Sequence, residues 1–257
     1  MREARFDARG SRVRWTEVDG ADPARVYVHG LGATSTVYHA HIAARPELVG
    51  RRSLFVDLPG HGISDRPADF GYTLEEHAAA LAAALDEAQV AAAEVIAHSM
   101  GGSVAIVLAH RRPDLVSRLV LAEANLDPNP PLTAGSSGIA GYEEEDFVGG
   151  GYARVLDAVG PTWAATMRLA DPRGLHRSAV GLIAGTRPTM RRMLMALTMD
   201  RVYLQGASSG NLPGRDALTA SGVRVVTVPG AGHNVMFDNA DAFAAEVAGR
   251  TSAGATP

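Results

Sequence analysis

The chain contains no cysteine, which excludes a disulfide framework, a thiolate zinc site and a thiol nucleophile. Neither sign of charge dominates: 24 Lys and Arg against 28 Asp and Glu leave a net charge of −4. That balance gives no electrostatic footing for nucleic acid or for an anionic membrane surface. No apolar run approaches the roughly twenty residues of a membrane span. The stretch from Met1 to Trp15 is polar and arginine-rich and lacks the apolar core of a signal peptide. A soluble, cytoplasmic protein is therefore expected. There is no dinucleotide fingerprint, P-loop or metal-ligand cluster, so no cofactor and no metal is implied. His39 and His41 stand too isolated to suggest one. Oligomeric state leaves no mark on the sequence.

What is present is ordinary globular material: 257 residues, 46% hydrophobic and 20% charged, enough to bury one large core. Arg12 to Val18 alternates polar and apolar residues, as a half-exposed strand does. Asp19 to Pro23 has turn composition, and Arg25 to Val28 is a second strand leading into glycine-rich His29-Gly30-Leu31-Gly32. A helix is expected from Val37 to Leu48 and a strand from Ser53 to Val56. Thr73-Leu74-Glu75-Glu76 has the spacing of a capping box and opens an alanine-rich helix to about Ala88. Glu94 to His98 and Leu119 to Ala122 are apolar, buried strands. Further strands are expected at Arg201 to Gly206 and Val223 to Val228, and helices at Arg215 to Ala220 and Asp241 to Ala248. Strands alternating with helices mean an α/β fold with a mostly parallel sheet covered on both faces.

Between Pro128 and Leu197 the alternation lapses. Pro130-Pro131 and Gly135-Ser136-Ser137-Gly138 have linker composition, and segments rich in Met, Trp and Leu follow. The expected organisation is a core of residues 1–127 and 198–250, an insertion of 128–197 lying over the sheet, and a flexible tail of 251–257. Met190, Met193, Leu194 and Leu197 fall on one helical face, and Trp163 and Met167 form an i, i+4 pair. Core packing explains most of this set; part of it, together with Gly30, is expected to line an apolar cavity, since Met adapts to irregular apolar shapes. Glu143-Glu144-Glu145-Asp146 reads as a solvated helix start.

Ligands bind a sheet of this kind at the carboxyl ends of its strands, and those ends are polar here: His29, Asp57, His98-Ser99, Glu123, and Gly230-Ala231-Gly232-His233. In Ala97-His98-Ser99-Met100-Gly101, small residues flank a serine between an apolar strand and a helical pattern. A sharp strand-to-helix turn would lift that hydroxyl above the sheet, and Ala97 stands where the usual spelling has glycine. A serine hydroxyl needs a base within reach, and the base needs a carboxylate to orient it. His233, on a glycine-rich loop after the last strand, is the best base.

These motifs resemble the α/β-hydrolase superfamily over nearly the whole chain. The residues that carry the resemblance are His29-Gly30-Leu31-Gly32, Asp57-Leu58-Pro59-Gly60-His61-Gly62-Ile63-Ser64, His98-Ser99-Met100-Gly101-Gly102 and Gly230-Ala231-Gly232-His233. The resemblance implies an α/β-hydrolase fold with a helical cap, Ser99 as nucleophile, His233 as base, and an oxyanion hole from the N–H groups of Leu31 and Met100. Asp57 and His61 resemble the family's structural turn. His29 is expected to brace the oxyanion loop and His98 to pack under the turn.

The acid departs from the pattern. Relatives usually carry it as Gly-x-x-Asp after the penultimate strand, where this chain has Gly206-Ala207-Ser208-Ser209. Either the triad is broken, or the acid is Glu123, the placement of haloalkane dehalogenases with a glutamate there and of zearalenone-type lactone hydrolases. A carboxylate ending an apolar strand needs a partner, and His233 would supply one; Asp127 and Asp216 are the fallbacks. The expectation is a serine hydrolase acting on an apolar small-molecule ester or lactone. A C–C hydrolase, perhydrolase or thioesterase stays open, as does a non-hydrolytic binding or pathway accessory protein on the same fold.

Overall fold

A computed structural model describes residues 1–128 and 136–249. Pro130, Pro131, Gly135 and the expected tail 251–257 lie outside the described residues. The chain opens with β1 (Arg2–Arg5), paired antiparallel to β2 (Arg12–Val18). The sequence gives no period-two signal for β1, because Ala4 is its one buried residue. β3 (Ala21–Val28) begins inside the expected turn: Ala21 pairs with Arg51 before the register shifts and resumes at Arg25. α1 (Ser35–Ala43) stops short of Leu48, and β4 (Arg51–Asp57) follows. α2 (Leu74–Glu87) carries the expected capping box: the Glu76 N–H donates to Thr73 Oγ1 at 3.2 Å, and the Thr73 N–H donates to Glu76 Oε2 at 3.1 Å. β5 (Ala93–His98), α3 (Met100–Arg111) and β6 (Val116–Ala122) complete the first half.

Helices then follow without a strand: α4 (Ser136–Ala140), α5 (Glu144–Asp146), a π turn at Phe147–Gly151, α6 (Tyr152–Ala158), α7 (Pro161–Met167), α8 (Pro172–Ala184) and α9 (Met190–Ala196). The alternation resumes with β7 (Asp200–Gly206), a 3-10 turn (Ala207–Ser209), α10 (Arg215–Ala220) and β8 (Arg224–Val228). α11 (Val235–Asp238) and α12 (Ala240–Val247) close it. Among the described residues, no helix is long and apolar enough to cross a membrane.

The eight strands lie in the order β1-β2-β4-β3-β5-β6-β7-β8, parallel from β4 onward. Side chains alternate between two cores. Val26, Val28, Val95, Ala97, Leu119 and Leu121 face one core, while Tyr27, Ile96 and Val120 face the other. That is why these strands read as unbroken apolar runs. The chain moves outward from β3 to β4 and then returns to the other side of β3 as β5, so β3 and β5 flank the switch point where such sheets bind ligands.

Glu143, Glu145 and Asp146 are exposed at a helix start, as expected, and Glu144 alone departs from that expectation. It is tied down, accepting hydrogen bonds from Arg177 Nε at 2.7 Å and from Arg173. These guanidinium bonds, that of Arg177 first, lower its carboxyl to about 2.

Candidate active site

β5 ends at His98 and α3 begins at Met100, so the whole change of direction falls on Ser99, with φ 50° and ψ −122°. A non-glycine residue held there stores about 1–3 kcal/mol of strain. The Ser99 N–H still donates to Ala122 O at 2.9 Å, as if in the strand. The demand for small residues falls on the helix side. A Cβ on Gly101 would sit 2.2 Å from His29 O, and one on Gly102 would sit 2.5 Å from Ala124 Cβ. Ala97 is buried in the middle of the sheet between Val28 and Leu121, and its methyl fits.

The loop after β3 is held from below. His29 Nδ1–H donates to Gly30 O at 2.7 Å, and His29 Nε2 accepts from the Leu58 N–H at 2.9 Å. Full burial lowers its imidazole to about 4, so it stays neutral. Asp57 accepts from the N–H groups of Ser35 (2.8 Å) and Ile63 (3.1 Å). Burial outweighs these bonds and pushes its carboxyl up to about 6. His61 is buried beside His29, their rings 5.0 Å apart. Among the described residues, the N–H groups of Leu31 and Met100 have no acceptor.

Glu123 also sits at positive φ, 51°. Its N–H donates to Leu204 O at 2.9 Å, and its Oε1 accepts from the Gly206 N–H at 2.7 Å. Its Oε2 lies 3.7 Å from His233 Nδ1; the carboxylate is 12% exposed and the imidazole 54%. The other carboxylates considered go elsewhere. Asp127 is held by Arg191 at 2.7 Å, and Asp216 is exposed on α10. Beneath His233, His98 Nε2–H donates to the His233 carbonyl at 2.9 Å with the rings 4.8 Å apart. Burial lowers His98 well below its ordinary value.

The Ser99 hydroxyl points at Asn125 Oδ1, 3.5 Å away, not at the His233 ring. Asn125 had no assigned role in the sequence, although it stands two residues past Glu123 on the same strand exit. The Asn125 carbonyl also accepts from the Ser103 hydroxyl at 2.7 Å, which fixes that exit against α3.

Ser99, Glu123 and His233 open onto one cavity of about 510 Å³, of the size that takes a small molecule. Gly30, Leu31, Ala33, Tyr38 and Trp163 line it together with Asn125, Ser208, Ser209 and Asn234. The wall is thus half polar. Met167, Met190, Met193 and Leu194, expected as lining candidates, are not part of it. They are buried in the main core, with α9 packed on α3. Helical periodicity gives an apolar face but not the surface that face meets. Trp163 reaches the cavity because its indole N–H donates to Leu31 O at 2.8 Å.

A sequence profile of the α/β-hydrolase fold matches residues 25–147. An esterase of Mycobacterium tuberculosis is 30% identical over 188 residues, 71% of this chain and 56% of the relative. The chain spans from about a third to just over half of the length of the curated relatives it matches. An esterase from Exiguobacterium antarcticum superposes with a TM-score of 0.79 at 19% identity, covering 96% of this chain and 97% of that one. An N-acyl homoserine lactonase complexed with N-hexanoyl homoserine superposes with a TM-score of 0.73 at 20% identity, covering 96% of each chain. Strand order, elbow and profile agree: the chain has the α/β-hydrolase fold.

Proposed function

We propose that the protein is a serine hydrolase cleaving a small-molecule ester or lactone, with Ser99 as nucleophile, His233 as base and Glu123 as acid. The observation that carries this reading is the 3.7 Å approach of the Glu123 carboxylate to His233 Nδ1 on the wall of the cavity that Ser99 enters. With Nδ1 turned to Glu123, Nε2 is the nitrogen left to take the Ser99 proton. The Ser99 Oγ must first rotate away from Asn125. It then bonds to the carbonyl carbon, and the oxygen left with the negative charge is received by the N–H groups of Leu31 and Met100. His233 passes its proton to the leaving alkoxide, which leaves an acyl-enzyme. Water, deprotonated by the same imidazole, releases the acid and restores Ser99. Removing one oxyanion donor typically costs about 10²–10³ in rate.

The similar esterase and the lactonase of the same fold support ester and lactone chemistry. The half-polar cavity supports a substrate with one apolar and one hydrogen-bonding part. Residues 128–197 are read as a cap, with α7 at the cavity, and the setting as cytoplasmic.

Labelling with a fluorophosphonate, followed by intact mass, tests this reading. One label per chain is expected, lost in Ser99→Ala and strongly slowed in His233→Ala and Glu123→Ala. Absence of label on folded protein would favour a binding protein, a reading that the resting hydrogen bond from Ser99 to Asn125 would then explain.

A further inference from the structure

Three consecutive carbonyls of the loop after β3 each accept a hydrogen bond. Gly30 O accepts from His29 Nδ1–H at 2.7 Å and from the Ala33 N–H at 3.2 Å. Leu31 O accepts from the Trp163 indole at 2.8 Å, and Gly32 O accepts from the Thr166 hydroxyl at 2.9 Å. The first bond comes from the sheet frame, while the other two come from α7. A trans peptide sets its C=O and N–H in opposite directions, so holding Gly30 O against His29 turns the Leu31 N–H the other way. Peptide 30–31 is held by His29 and also by the Ala33 N–H, which belongs to the same peptide as the Gly32 carbonyl that Thr166 holds, so the anchoring of the Leu31 N–H runs partly through α7.

We infer that Trp163 and Thr166 are positioning residues: by gripping the Leu31 and Gly32 carbonyls, they fix the Leu31 N–H as an oxyanion donor, so that docking α7 completes the site. The inference rests on the serine-hydrolase reading above. Burial supports it, since Thr166 is 2% exposed and therefore keeps its bond out of water. Its single hydroxyl proton has a nearer acceptor in Gly32 O than in Trp163 O, at 3.1 Å, or Thr162 O, at 3.5 Å. Backbone geometry supports it too. Gly32 has φ 67°, and a Cβ there would stand 2.8 Å from Trp163 Nε1 and 3.3 Å from Met167 Cε, so the loop and α7 approach as closely as a bare backbone allows. Trp163 also lines the cavity. One helix therefore both adds to the cavity wall and steadies the loop that receives the developing charge, and with α7 undocked the Leu31 peptide would be held by His29 alone.

The test uses Trp163→Phe, which keeps a ring and loses the N–H, and Thr166→Val, which keeps the shape and loses the hydroxyl. Thr166→Ser is the conservative rescue. Each variant is assayed for the rate of Ser99 phosphonylation and for the affinity of an alkyl trifluoromethyl ketone, whose hemiketal bears an oxyanion. The matching methyl ketone, which stays a ketone, is the control. Phosphonylation and trifluoromethyl ketone affinity are expected to fall about tenfold in each loss variant, as one lost hydrogen bond allows. Methyl ketone affinity should hold in Thr166→Val, at a position that does not line the cavity, and Thr166→Ser should recover the parent values. Equal loss for both ketones in Thr166→Val would overturn the inference. If the parent labels and both loss variants label as fast, positioning alone fails. If the folded parent takes no label, the hydrolase reading fails and this inference with it. Should Trp163→Phe not fold, Thr166→Val and its serine rescue decide.

Discussion

The strand-tip frame and the helices between β6 and β7 are built on different principles. In the frame, buried polar side chains bond to backbone: His29 to Gly30 and Leu58, Asp57 to Ser35 and Ile63, and His98 through Nε2 to His233, while His98 Nδ1 and His61 Nε2 have no hydrogen-bond partner among the described residues. Backbones touch at Gly101, and Ser99 and Glu123 hold positive φ. In α4 to α9, cohesion comes from adaptable apolar side chains such as Met167, Met190 and Met193, and from surface pairs such as Glu144 with Arg173 and Arg177. Among the described residues, no non-glycine residue of those helices has positive φ. Ser99 and Glu123 are fixed where the backbone is strained, and Trp163 comes to their cavity from the helices where packing can adjust.

The sharpest way to break this contrast is Gly101→Val. Its branched side chain has only the backbone oxygens of His29 and Val28 to displace, so a loss of at least about 3 kcal/mol is expected. A denaturant titration showing parent-like stability would mean that the elbow yields as readily as the helical segment. Glu123→Gln should leave the fold intact and lower kcat for a chromogenic ester about 10²-fold or more, since the imidazolium loses its counter-charge. An unchanged kcat would remove Glu123 from the proposed triad. On the other side of the contrast, Met193→Ala should cost about 2–3 kcal/mol of stability with kcat/KM nearly retained, because Met193 is buried in the core and not on the cavity wall.

Acid should attack the frame. Burial chiefly lowers His29 to about 4 and His39 and His61 to about 3, and it takes His77 and His98 well below 6.5. The unfolded chain therefore binds more protons than the native one as pH drops from about 6.5 toward those values, and stability is lost across that window. Asp57, raised to about 6 by burial, acts in the opposite sense: its contribution is present below its ordinary value of 3.8 and is lost as pH rises toward 6. Five histidines outweigh one carboxyl, so calorimetry should show Tm falling from pH 7 to pH 4.5. A flat profile would contradict the buried neutral network. The smallest effect is expected for Asp127→Asn, which touches only a half-exposed pair with Arg191; kcat/KM should stay within about twofold. A larger drop would bring Asp127 back as a candidate acid.

The chain's own order of residues determined the strand and helix succession from Arg12 to Ala122 and again from Arg201 to Val228, the capping box of α2, and the elbow, because each is a local pattern of apolar period, small residues or paired caps. It also brought Ser99, Glu123 and His233 to strand exits, which follows from where each apolar run stops. It did not reveal β1, whose side chains are nearly all polar and which exists because β2 offers it an edge to pair with. Nor could it decide which carboxylate faces His233, since Glu123 and His233 meet only through the parallel register of β6, β7 and β8. The same holds for Asn125 beneath Ser99, for the burial of the Met190 and Met193 face against α3, and for the grip of Trp163 and Thr166 on the loop after β3. Those contacts join residues far apart in the chain, and only packing the helices onto the finished sheet fixes their distances.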